Sequence, residues 1–158
     1  MLRIQQAVIE DSQAITEMVK ELTDEIIATM DDVAFNIDVI KLTKKCRELI
    51  EKNNYFIFLA FKENEKGPVG FVSLSESYAL YAEGEFGIIQ EFYVKQEFRS
   101  EGIGRELTKK AVAFGKNKGW KRLEVNTPPL PQWNKSAKFY QKEGFEFSGG
   151  RKLKLTLD

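Results

Sequence analysis

The sequence predicts a three-layer α/β domain with a mixed central sheet of about seven strands and helices on both faces. Three observations point there. Segments with apolar residues at helical spacing alternate with short aromatic and β-branched runs. The resulting order, β-α-α-β-β-β-α-β-α-β-β, interleaves the two kinds of element. No internal repeat, low-complexity tract or interdomain linker interrupts it, so residues 1–158 read as one domain, long enough to bury a core.

Leu2, Ile4 and the stretch Ala7 to Ile9 suggest a short first strand. Asp11 or Ser12 then caps a helix carrying Ile15, Met18, Val19, Leu22 and Ile26 at helical spacing. Residues 29–36 (TMDDVAFN) carry loop signals, and a second helix is expected from Asn36 to Lys52. Tyr55–Phe61 (YFIFLAF) is too apolar for a surface helix and reads as a buried strand. ENEKGP turns the chain, and Val69–Ser75 continues as its hairpin partner. Residues 76–85 (ESYALYAEGE) read as a longer connection to a strand at Phe86–Lys95. Helical spacing returns at Ile103, Leu107, Ala111 and Phe114, with Gly119 as a stop. Leu123–Asn126 is a short strand and TPPLP a rigid loop. Residues 132–143 form the last helix, ended by Gly144, and Phe145–Phe147 and Leu153–Leu157 are expected as two final strands.

Composition narrows the chemistry. Apolar residues are 42% and charged residues 30% of the chain, with 24 acidic and 24 basic side chains, so no global field recruits nucleic acid or an anionic membrane. Cys46 is the single cysteine, which excludes an internal disulfide and makes a reducing, cytoplasmic compartment the expectation. The first residues lack the apolar core of a signal peptide, and no run approaches the ~20 apolar residues that span a bilayer. The chain has no histidine. Ser-His-Asp and Cys-His catalysis and His-ligated metals are therefore excluded, and no metal is expected. Proton transfer must use carboxylate, Tyr, Lys, Cys or water.

The most informative stretch is Gly87–Arg105, GIIQEFYVKQEFRSEGIGR, in which a β-type run gives way to Gly102 and Gly104 at the start of a helix. A helix N-terminus offers unpaired N–H donors and the positive end of the dipole, which suits a phosphate group. A P-loop would need Lys-Ser or Lys-Thr after Gly104, and a dinucleotide fold would need a third glycine near the start of a parallel sheet. Neither is present. Two glycines alone can also do no more than shape a tight turn.

The surroundings say more. Arg99-Ser100-Glu101-Gly102-Ile103-Gly104 matches the Q/R-x-x-G-x-G/A motif of the GNAT superfamily of N-acetyltransferases. EFYV resembles the family's central strand, and SAKFYQKEGF its FY-x-x-x-G-F segment. The resemblance runs along nearly the whole chain and looks closest to small polyamine and amino-group acetyltransferases. It implies a GNAT-like sheet, acetyl-CoA as co-substrate, and a small-molecule amine as acceptor. Phe92, Tyr93 and Val94 would line the acetyl and pantetheine arm through backbone groups. Arg99, Ser100, Glu101, Gly102, Ile103, Gly104 and Arg105 would surround the pyrophosphate. The arm would lie where the strands at 86–95 and 122–126 splay apart. A bulge usually starts that splay in the family, and no residue pattern here proves one.

Acetyl transfer to an amine needs a base, an oxyanion donor and an acid for the departing thiolate. By resemblance Tyr140 is the candidate acid; the alternative is that it only packs the last helix. Glu91 is the candidate base, directly or through water, because an ionised carboxylate is costly in the apolar run IIQEFYV without a task or partner. Its alternative is a solvent-facing or ion-paired surface residue. The oxyanion falls to the N–H of Phe92 or Val94. Cys46 reads as a buried structural cysteine. Relatives place an Asn where this chain has Trp133, so Asn134 is the nearest substitute for a cofactor-arm contact. The acceptor segments would be TMDDVAFN, ESYALYAEGE and FSGGRKLK. Asp31, Asp32, Glu76, Glu83 and Glu85 could attract a cation, Tyr78 and Tyr81 could wall it, and Arg151, Lys152 and Lys154 would instead suit a carboxylate.

The leading expectation is direct acetyl transfer to a small primary amine. The alternatives are a protein N-terminal or lysine acetyltransferase and a noncatalytic acyl-CoA-binding or sensing module. Family members are often dimers, and the alternating strand KLKLTL at a sheet edge makes homodimer pairing part of the expectation.

Overall fold

The computed structural model describes residues 1–29, 36–128 and 133–157. Five strands form one sheet in the order β1-β2-β3-β4-β5: β1 Leu2–Gln6, β2 Phe56–Lys62, β3 Gly70–Ala79, β4 Gly84–Val94 and β5 Leu123–Val125. The first four pair antiparallel and β5 pairs parallel to β4, so the sheet is mixed. Helices α1 (Ser12–Thr29) and α2 (Val39–Glu51) cover one face, and α3 (Ile103–Lys118) the other; α4 is Asn134–Lys142.

Strand alternation divides the core in two. Ile57, Leu59, Phe71 and Tyr93 pack with Ile15, Met18 and Cys46 under α1 and α2. Phe58, Ala60, Val72, Leu74 and Ile89 pack with Ile103, Leu107, Ala111 and Trp120 on the α3 side. The helix ends follow from local chemistry. Asp38 caps α2 by accepting from the N–H groups of Ile40 and Lys41 at 3.1 and 3.3 Å. A hydroxyl pair, Thr16 and Thr43 at 2.7 Å, ties α1 to α2. No described helix is long and apolar enough to cross a membrane.

Two sequence expectations need correction. Residues 76–85 are not a long connection: β3 runs to Ala79, a single 3₁₀ turn spans Leu80–Ala82, and β4 begins at Gly84. Backbone pairing, such as Glu76 with Gly87 and Tyr78 with Glu85, carries the hairpin outward although its side chains are largely solvated. The two final strands do not form, so the described sheet has five strands rather than about seven. Leu153, Leu155 and Leu157 alternate as a strand would, but they are 95%, 83% and 86% exposed and pair with no described strand.

Candidate active site

The site begins with an irregularity in β4. Ser73 pairs with Glu91 and Leu74 with Ile89, so Gln90 has no partner on β3 and forms a β-bulge. Its amide instead donates to the Ser75 hydroxyl at 2.9 Å. The parallel pairing of β4 with β5 covers Gly87–Ile89 against Leu123–Val125 and stops at the bulge. Beyond it no described strand pairs with the β5 side of β4. The Lys95 N–H donates to the Val69 carbonyl at 2.8 Å, which fixes Lys95, Tyr93 and Glu91 as the residues whose peptide groups face β3. The peptide groups of Phe92 and Val94 therefore face the gap. The Val94 carbonyl accepts from Arg99 Nε at 2.8 Å, while the N–H groups of Phe92 and Val94 have no β5 partner.

The glycine turn follows. Gly102 caps α3 with φ +85°, the left-handed region that favours glycine, and a Cβ there would meet nothing within 4 Å. Ser100 is also left-handed, at φ +67°. The Glu106 N–H closes onto the Gly102 carbonyl at 3.1 Å, but the N–H groups of Ile103, Gly104 and Arg105 find no acceptor among the described residues. This is an open cluster of donors at the positive end of a helix of 16 residues. Gly104 has a different reason: a Cβ there would sit 3.2 Å from the Phe139 ring, so its smallness lets α3 and α4 approach.

Arg99 and Glu101, read as pyrophosphate neighbours, are engaged elsewhere. The Arg99 guanidinium donates to both Glu25 carboxylate oxygens at 2.7 Å, and lies over the Tyr93 ring. Its hydrogen bonds hold the Glu25 carboxyl below the usual carboxylate range. Arg99 thus ties α1 to the turn. Lys62 holds Glu101 at 2.5 Å. Arg105 is exposed.

Tyr140 and Glu91 lie on opposite faces of β4. Tyr140 packs edge-on against Phe92 and Phe145, with ring centroids at 5.9 and 5.5 Å, on the α3 side. Its hydroxyl has no hydrogen-bond partner among the described residues, and burial raises its pKa, so the phenol keeps its proton at neutral pH. Glu91 faces α1 and α2. Its carboxylate accepts from the Ser73 hydroxyl on one oxygen and from the Tyr55 hydroxyl, at 3.5 Å, on the other. Burial raises its proton affinity, and these hydrogen bonds partly offset that. Sequence reasoning named neither Ser73 nor Tyr55. A serine inside the apolar run GFVSL was the available signal, but only the β3–β4 register shows that it faces Glu91.

The remaining candidates divide. Cys46 is buried and free, with its thiol pKa pushed up by burial. Asn134 opens α4 and is exposed, while the neighbouring Trp133 has its indole N–H buried with no partner among the described residues. Glu76 accepts from the Trp120 indole N–H at 2.7 Å, which ties it to the core. Tyr81 lies under Arg122. Glu83 and Glu85 are exposed at the hairpin tip, and Arg151, Lys152 and Lys154 are exposed on an unpaired segment. Asp31 and Asp32 lie outside the described residues. Among the described residues no group of three or more His, Cys, Asp or Glu could hold a metal ion.

Comparison with known proteins identifies the family and the fold. The model of the acetyltransferase (GNAT) family matches residues 17–145. A thialysine N-epsilon-acetyltransferase of Caenorhabditis elegans is 30% identical over 99 residues, covering 63% of this chain and 58% of that protein. The match thus spans less than two thirds of the relative's length. An aminoglycoside acetyltransferase from an uncultured soil metagenomic sample, solved with trehalose, superposes with a TM-score of 0.76 at 19% identity, over 99% of this chain and 97% of that one. A predicted acetyltransferase of Clostridium acetobutylicum, solved with acetyl-CoA, gives 0.77 at 18% identity, over 99% and 96%. At these identities the superpositions show a shared fold.

Proposed function

The chain belongs to the GNAT acetyltransferase family, and from that premise we propose that it moves an acetyl group from acetyl-CoA directly to a primary amine of a small molecule. One observation carries the reading. The bulge at Gln90 leaves the N–H groups of Phe92 and Val94 facing a gap in the sheet, and the free N–H cluster of Ile103–Arg105 follows them in the chain. A long molecule with a pyrophosphate at one end and a carbonyl at the other fits both groups of donors. Bound acetyl-CoA would supply an activated thioester.

Ile103, Gly104 and Arg105 hold the pyrophosphate through their N–H groups, and the open space at Gly102 admits it. Phe92 to Val94 orient the acetyl arm, and a gap-facing N–H polarises its carbonyl. Glu91 lies on the α1/α2 side, so the amine enters from there and gives its proton to that carboxylate, directly or through water. A new C–N bond forms as the C–S bond breaks. Tyr140, on the α3 side, donates its phenolic proton to the departing thiolate. A base and an acid on opposite faces of one strand, joined by the gap beside it, keep the two proton transfers apart.

The relative named for thialysine supports a small amino compound as acceptor. The single thiol supports a reducing, cytoplasmic setting, and the exposed alternating leucines 153, 155 and 157 support self-association.

The test is thermal unfolding with and without acetyl-CoA, with NAD and ATP as comparators. At ~100 times the dissociation constant a ligand adds roughly 2.7 kcal/mol, which for this chain length raises the midpoint by about 5–10 °C. That rise with acetyl-CoA alone, followed by thiol release on adding primary amines, is the expected result. No shift at saturation would refute the proposed site. A shift without thiol release across an amine panel would leave a binding module in place of an enzyme.

A further inference from the structure

Under α1 and α2 the sheet carries a polar cluster in an apolar setting. Ser73 is wholly buried, and its hydroxyl engages Glu91 twice: it donates to the carboxylate and accepts the Glu91 N–H at 2.9 Å. Tyr55, at the entry to β2, reaches the other carboxylate oxygen. One hydroxyl comes from β3 and the other from the residue before β2, so they fix the Glu91 side chain from outside its own strand. Beside them lies a cavity of about 80 Å³, lined by Ile15, Val19, Leu42, Cys46, Tyr55 and Glu91 among others. That is more than the space a single water needs.

We propose that Ser73 and Tyr55 are positioning residues that aim the Glu91 carboxylate at this cavity and set the pH above which it accepts a proton. The proposal rests on Glu91 being the base. A hydroxyl on each oxygen favours the ionised carboxylate and leaves it one orientation, so it is pre-organised before the amine arrives. The surroundings leave these two hydroxyls as its main control. From α2 it is faced by the Cys46 thiol, from the residue before β2 by the Tyr55 hydroxyl, from β3 by Ser73, and from α1 by the uncharged Ile15, Thr16 and Val19. No lysine, arginine or second carboxylate lines the cavity among the described residues.

The experiment titrates the Glu91 carboxyl carbon by ¹³C NMR in the full chain, assigned by difference from Glu91→Gln. Wild type is compared with Ser73→Ala, Ser73→Thr and Tyr55→Phe, and pH profiles of thiol release with thialysine and other primary amines are recorded alongside. A hydrogen bond to a charged group is worth enough to move a midpoint by about 1–2 pH units. Ser73→Ala should raise the midpoint by about that much, Tyr55→Phe by less, and Ser73→Thr should restore it. The acid limb of the rate profile should move in step, with the acetyl-CoA thermal shift unchanged. Midpoints that stay put in both Ser73→Ala and Tyr55→Phe overturn the positioning role. An acid limb that survives in Glu91→Gln overturns instead the base reading on which the catalytic sense of that role depends.

Discussion

Replacing each glycine of the turn by alanine separates two kinds of constraint. At Gly102 the backbone is left-handed, at φ +85° and ψ 4°, and a Cβ would have open space around it. Its cost is conformational: about 1–2 kcal/mol for an L-residue held there. At Gly104 the backbone is helical, where alanine gains up to about 1 kcal/mol over glycine. The new Cβ, however, lies 3.2 and 3.3 Å from two Phe139 ring atoms. The ring must yield by a few tenths of an ångström, which offsets much of that gain. With about 2–4 °C per kcal/mol for this length, Gly102→Ala should lower the unliganded midpoint by about 2–8 °C. Gly104→Ala should leave it within about 2 °C. Scanning calorimetry of the two variants with and without acetyl-CoA reads both effects. Gly102→Ala should also lose more than half of the ligand-induced rise, because its Cβ projects where the anion approaches and the relaxed turn no longer aligns the three N–H groups. An unliganded Gly102→Ala as stable as wild type would refute the conformational argument. A full acetyl-CoA shift in that variant would refute the anion cradle.

Tyr140→Phe removes a hydroxyl that has no partner among the described residues, so its unfolding midpoint should stay within about 1 °C of wild type while turnover falls by about 10²–10⁴-fold, as for loss of a general acid; unchanged thiol release would remove Tyr140 from the chemistry. Burial makes native Glu91 bind its proton more tightly than the unfolded chain does, so this group lowers stability as pH rises from about 4 towards the folded value. Urea unfolding of Glu91→Gln should therefore gain on wild type between about pH 4 and pH 7, and a constant gap would contradict the buried placement. The Arg99–Glu25 pair should show a coupling of about 1 kcal/mol in a double-mutant cycle at low salt, shrinking near 1 M salt. Because the Glu25 pKa is depressed by Arg99, that coupling is complete above about pH 4.3 and is lost as pH falls through the folded value. A coupling indifferent to both salt and acid would mean that packing, not charge, joins these side chains.

Much of this architecture was legible because it rests on local pattern. Ile15, Met18, Val19 and Leu22 on α1, or YFIFLAF on β2, announce their period without reference to distant residues. Pairing partners are another matter. Leu153, Leu155 and Leu157 carry the alternation of a strand, yet a strand exists only where a neighbour receives its N–H and C=O groups. The outer half of the β3–β4 hairpin shows the reverse case, since SESYA lacks an apolar face and is held by its register with β4. The site divides along the same line. The glycine turn and Tyr140 could be read from a contiguous motif, and Glu91 from its incongruity in an apolar run. The engagement of Arg99 by Glu25, 74 residues away in sequence, could not, nor could Ser73 and Tyr55 on Glu91, because register and packing alone create those meetings.

The residue skipped at Gln90 acts as a change of phase. Before it, Gly87 and Ile89 lie on the α3 side; after it, Phe92 and Val94 do, so odd numbers hand over to even ones. Had β4 kept Gln90 in regular pairing with no bulge, continued alternation would turn Glu91 into the α3 core and Phe92 towards α1 and α2. The peptide groups of Phe92 and Val94 would turn from the gap to β3. Every function ascribed to residues 91–94 would change sides at once, although no side chain had been altered. Substitution at Gln90, an exposed position, should be almost silent, and its deletion, which leaves Ile89 opposite Leu74 and Glu91 opposite Ser73, should straighten β4 while Glu91 and Phe92 keep their present faces.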